Sequence, residues 1–76
     1  MSELEQAITQ AIRINFKIRS IARRTETTDE LNNQIKTCDE YLNNAIVKHS
    51  EGDNDTSLQY LNRLNLIFES VTDKLV

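Results

Sequence analysis

The stretch Asp29-Glu30-Leu31-Asn32-Asn33-Gln34-Ile35-Lys36-Thr37-Cys38-Asp39-Glu40-Tyr41-Leu42-Asn43-Asn44-Ala45-Ile46-Val47-Lys48-His49-Ser50 decides the fold. Leu31, Ile35, Cys38, Leu42, Ala45 and His49 recur at alternating spacings of four and three. On a helix turning about 100° per residue these positions form a single stripe, the seam of a bundle. The stretch closes on Glu51-Gly52-Asp53-Asn54, which contains the chain's single glycine. Gly52 can take the left-handed conformation that ends a helix, and Asp53, Asn54 or Asp55 can cap the next one.

Working outward, Leu61, Leu64, Phe68, Val71 and Leu75 repeat the pattern downstream, and Leu4, Ala7, Ala11, Ile14, Ile18 and Ile21 repeat it upstream. The spacing predicts helices over about 2–24, 29–50 and 55–75. The first break, Thr25-Glu26-Thr27-Thr28, holds Thr27 and Glu30 at the spacing of a capping box. Both breaks are short, so neighbouring helices should run antiparallel. The expected architecture is all-α, an antiparallel up-down-up three-helix bundle in one domain spanning residues 1–76. The first helix carries a second apolar row, Ile8, Ile12 and Phe16, beside its seam. Such a wide apolar arc suits a helix that contacts both others, and part of the row can also receive a partner.

Composition narrows the function classes. The chain has 76 residues, no proline, no tryptophan and one cysteine. It lacks the Pro and Gly punctuation of a multi-strand sheet. One cysteine closes no internal disulfide and makes no Cys-rich zinc site, which points to a reducing compartment. No apolar run approaches the ~18 residues of a membrane span, so direct membrane insertion is not expected. A core this small needs well-packed helices or a partner.

The residues for catalysis are sparse, and no enzyme, cofactor or metal site is expected. The single histidine, His49, lies at a helix end where a protonated ring suits the dipole. Cys38 sits among Leu and Ile, as a small buried hydrophobe does. The two are eleven residues apart, ~16 Å along one helix, too far for a dyad. Asp53, Asn54 and Asp55 lack the remaining ligands of a calcium loop, which leaves capping as their role. Residues 1–24 hold five basic and two acidic side chains, a net of +3, and residues 25–76 hold four basic and ten acidic, a net of −6. Arg13, Lys17 and Arg24 share one polar stripe. Three cations are too few for a nucleic-acid footprint; they fit a solvated face, or one that meets an acidic partner.

Apolar residues in the wrong place are more informative. Leu66 falls about 180° from its helix's seam, and Leu58, eight residues earlier, lies on the same outer side with Asn62 between them. Val47 is similarly misplaced on the second helix. Two leucines on one outer face suggest a shallow docking row.

These features resemble a GAT domain, the three-helix module of the GGA and target-of-Myb adaptors and of some fungal endocytic adaptors. The segment from Asp29 to Glu40 resembles the family's acidic start followed by a hydrophobic–Cys pattern, and Glu51 to Asp55 its acidic polar turn. Ser57-Leu58-Gln59-Tyr60-Leu61-Asn62-Arg63-Leu64-Asn65 resembles its third helix. The first helix matches by pattern and length. The resemblance implies a non-catalytic module that binds ubiquitin, ubiquitinated cargo or helical trafficking proteins through shallow hydrophobic faces. It also implies a cytoplasmic setting, peripheral at endosomes, the Golgi or cortical endocytic sites through a parent protein. One family face uses Leu, Leu and Asp spaced four apart on the third helix. The matching positions are Leu58, Asn62 and Leu66, of which only the first is kept. A second family site, between the first two helices, would correspond to Ile18, Ile21, Leu31 and Ile35, which are also core-packing positions. The Arf-binding segment of GGA adaptors precedes the bundle and has no counterpart among these residues. A different reading is a small helical chaperone or assembly subunit for one protein partner, with the wide first helix as its interface.

Overall fold

The computed structural model describes residues 2–75, the side chain of Leu75 excepted. Three helices follow in order: α1 (Glu3–Arg24), α2 (Asp29–Ser50) and α3 (Asn54–Leu75). Each has 22 residues. A helix of that length is about 33 Å long, which suits the 39 × 20 × 16 Å envelope of the molecule.

The helix ends follow local chemistry. Ser2 caps α1 by accepting a hydrogen bond from the Glu5 amide at 3.1 Å. Acidic residues open the helices and basic residues close them: Glu3 and Glu5 against Arg23 and Arg24 in α1, Asp29 and Glu30 against Lys48 and His49 in α2. The carboxylates and the Lys and Arg side chains among these face the helix dipole with the favourable sign. The expected Thr27–Glu30 capping box does not form. Thr28 is the last extended residue before α2 and caps it, accepting from the Leu31 amide at 3.1 Å. The Thr27 hydroxyl instead donates to the Asn32 side chain at 2.8 Å. With Thr28 as the cap, Asp29 and Glu30 become the first two helical residues, where their charges meet the exposed amides.

The second break is sharper. Gly52 has φ of +83°, and the amides of Gly52 and Asp53 donate to the carbonyls of His49 and Lys48 at 3.0 and 2.9 Å. This is the paired pattern of a Schellman motif. The Asp53 carboxylate then caps α3, accepting from the Thr56 amide at 3.2 Å.

Cross-links fix how α2 meets α3. Near one end of the pair Lys74 donates to Glu30 and Gln34 at 3.0 and 2.9 Å. Near the other the Ser57 hydroxyl donates to the Ala45 carbonyl at 2.7 Å. The start of α2 thus lies beside the end of α3, and the two run in opposite directions. Tyr41 and Tyr60 meet on the flank with ring centroids 6.0 Å apart. The core is built from Ile8, Ala11 and Ile18 of α1, Leu31, Cys38, Leu42 and Ala45 of α2, and Leu61, Leu64, Phe68 and Val71 of α3. The expected seams of α2 and α3 are this core, with Ile35 and His49 half-buried; the side chain of Leu75 lies outside the described ones.

The seam of α1 differs from the expected one. Its buried residues are Ile8, Ala11, Asn15 and Ile18, flanked by half-buried Leu4 and Ala22. Ile14 and Ile21, expected on the seam, are exposed, at 38% and 40%. The line turns through Asn15 because its amide has a partner there: Nδ2 donates to Asp39 Oδ1 of α2 at 2.7 Å. Arg19 pairs with the same carboxylate, its Nε donating at 3.1 Å. With α1 set in this rotation, Ile14 and Ile21 lie toward α3.

Candidate protein-interaction surface

The expected docking row on α3 is exposed. Leu66 keeps 69% of its surface open and Leu58 49%, and Asn62 between them is exposed too. The cause is local. Ser57, Leu61, Leu64, Phe68 and Val71 take the buried stripe of α3, and Leu66 falls on the opposite side of the turn. Val47 on α2 is exposed as well. Leucines at both ends of a two-turn row with a polar residue between them offer a shallow contact strip and no cavity.

The second set of candidate residues is divided. Ile18 and Leu31 are buried in the core and Ile35 packs half-buried against it, so these three hold the bundle together. Ile35 also lines the cleft between α1 and α2 beside Ala22 and Asn32. Ile21 is exposed on the other flank of α1. No continuous surface of the four exists between α1 and α2.

An open groove between α1 and α3 went unpredicted. Ile14, Ile18, Ile21 and Phe68 form its floor, with Lys17 on one wall and Glu69 and Asp73 on the other. Its signal in the sequence was the surplus apolar width of α1. Of the second apolar row, Ile8 is buried and Ile12 packs against the core. Only Phe16 remains open, at 72%.

The residues considered for chemistry are occupied otherwise. Cys38 has no exposed surface, and burial pushes its thiol up to about 11. A thiol so protonated is a weak nucleophile. His49 lies half-buried with Nδ1 3.2 Å from Asn54 Oδ1 across the turn. Hydrogen bonds from the Thr56 side chain and backbone hold the Asp53 carboxyl below its usual range, as befits a charged cap. Among the described residues no group of three or more His, Cys, Asp or Glu side chains could hold a metal ion, and no helix is long and apolar enough to cross a membrane.

Comparison with known proteins finds no matching family model, no matching curated protein and no matching solved structure. The surface of the bundle therefore carries the functional argument.

Proposed function

We propose that this chain is a non-catalytic protein-interaction module that docks a partner on the outer face of α3, with ubiquitin the first partner to test. The carrying observation is Leu66, 69% exposed on a helix whose other side is the core. Leu58 extends the strip. The resemblance to GAT domains supplies ubiquitin and a setting in an endosomal or endocytic adaptor, in the cytoplasm and peripheral to the membrane. Asn62 and Leu66 replace the second Leu and the Asp of the family face, so contact here is apolar at its ends and neutral at its centre. Two leucines and a few hydrogen bonds support weak binding, with Kd on the order of 0.1–1 mM.

Titration of the labelled chain with ubiquitin, followed by NMR, tests this. Shifts should gather at Leu58, Asn62 and Leu66 and vanish in Leu58→Arg, a surface change at the one position that keeps the family residue and is exposed. No shifts at millimolar ubiquitin remove ubiquitin as the partner, and unaltered binding by Leu58→Arg removes the strip.

A second reading, an assembly or chaperone subunit for one protein, is favoured by α1, which packs far less extensively than α2 and α3 do on each other. Sedimentation separates the two: a folded monomer supports the autonomous module, and a dimer or a molten isolated chain supports the obligate subunit.

A further inference from the structure

The second half of α1 carries a surface that the α3 strip does not use. From Arg13 to Arg24 the sequence has five basic side chains and no acidic one. Arg19 is held by Asp39, and Arg24 donates to the Ser20 hydroxyl. Arg13, Lys17 and Arg23 form no ion pair among the described residues. In their midst stands Phe16, 72% exposed. Arg13 and Lys17 lie on one side of its ring, Arg19 and Arg23 on the other, and Ser20 borders both. Helix-dipole complementarity accounts for Arg23 and Arg24, which lie in the last turn. It does not account for Arg13 and Lys17, two to three turns earlier, or for an open aromatic ring between cations.

We propose that this face of α1 binds a short acidic peptide segment carrying one large apolar side chain, which packs on Phe16 while its carboxylates meet Arg13, Lys17 and Arg23. Charge complementarity selects the occupant. The face runs about 16 Å along the helix, the reach of roughly eleven helical residues. Glu69 and Asp73 stand across the groove from Lys17 and border the face on its α3 side. Residues 25–76 carry a net of −6, and the molecule is only 20 × 16 Å across its short axes. A broad polyanion, such as a lipid surface or a duplex, would extend across the groove onto Glu69 and Asp73 themselves, where salt does not screen the repulsion away. A narrow peptide stays within the positive field of α1. Phe16 supplies the apolar anchor that such interfaces use, with the cations setting orientation and encounter rate.

The test is an NMR titration of the intact chain with a synthetic Glu-rich peptide bearing a central leucine. Two controls run beside it: the same peptide with every Glu replaced by Gln, and vesicles of phosphatidylserine and phosphatidylcholine. Shifts should map to Arg13, Phe16, Lys17, Ser20 and Arg23. Phe16→Ser should weaken binding about fivefold. The double variant Lys17→Glu/Arg23→Glu should weaken it tenfold or more, as should raising salt from about 0.05 to about 0.5 M. Circular dichroism confirms that both variants fold; each removes a different half of the site, so either alone decides. The proposal is overturned if the acidic peptide leaves α1 unperturbed, if the Gln peptide binds equally well, or if either variant binds as the parent does. It is also overturned if the vesicles shift this face and the peptide does not, which would assign the face to a membrane.

Discussion

The α2–α3 pair and α1 are built on the same pattern, yet they are held in different ways. Among the described residues, Cys38, Ala45, Ser57, Leu64 and Val71 have no exposed surface, and all belong to α2 or α3. Across their contact runs a ladder of links: Ser57 to Ala45, Tyr41 to Tyr60, Lys74 to Glu30. On α1, Ala11 and Asn15 stand in the middle of the buried line, and Ile14, Phe16 and Ile21 are exposed. Hydrophobic stabilisation scales with the apolar area removed from water. α1 packs less extensively on its neighbours than α2 and α3 pack on each other, and its polar link to Asp39 fixes its rotational setting more than its strength. A three-helix bundle can thus consist of a cohesive hairpin and a third helix packed less extensively against it, with exposed apolar residues on both parts.

This contrast is open to direct attack. The largest effect should come from Leu64→Ala, which opens a cavity at the centre of the tight pair and costs about 3 kcal/mol in urea denaturation. Ile8→Ala on α1 should cost distinctly less; an equal loss erases the distinction between the two regions. Next is the reactivity of Cys38. Its thiol titrates near 11 in place of 9.0, so at pH 8 a thiol reagent should label the folded chain on the order of 100-fold more slowly than the unfolded one. The sign for stability follows: the unfolded thiol loses its proton first, so stability falls as pH climbs from 9 toward 11. Rapid labelling of the native chain would mean that the α2–α3 contact opens readily.

Smaller effects sharpen the picture. Ser57→Ala leaves the Ala45 carbonyl without its buried donor, and thermal melts should show a loss of about 1.5 kcal/mol. Asn15→Leu acts in the other direction. Asn15 Oδ1 is buried without a partner, and Arg19 still satisfies Asp39 when the amide is gone. The substitution should stabilise by roughly 1 kcal/mol while loosening the rotational setting of α1, seen as broadened resonances at Ile14 and Ile21. A destabilising outcome would show that the pin supplies strength as well as register.

The same division explains what could be read from the sequence. On α2 and α3 one line of apolar residues runs at bundle spacing with no rival, so the helices, their seams and the turn at Gly52 are legible from residue type alone. Leu66 was legible as an outlier because the seam it violates is unambiguous. On α1 two apolar lines compete, and the line that is buried passes between them through Asn15. Periodicity that scores only apolar residues steps over an asparagine whose partner, Asp39, is 24 residues away. Ser57 was missed for the same reason, since its acceptor is the backbone of Ala45. By spacing alone Phe16 falls in one row with Ile8 and Ile12, and only the tertiary setting of α1 separates them. Buried polar residues with distant partners are what a pattern of apolar spacings cannot contain, and here they decide which face of α1 is left outside.

Gly52 carries a last consequence, one of handedness. It has φ of +83°, and no other described residue has positive φ. A β-carbon built there meets nothing within 4 Å. The constraint at this position is therefore stereochemical and not steric crowding. The backbone turns there in the sense natural to a mirror-image amino acid, so in a chemically assembled chain a D-alanine would sit at ease where its L counterpart is strained. The single glycine is thus the one point in the described chain where the fold asks for the opposite chirality, and an achiral residue answers it.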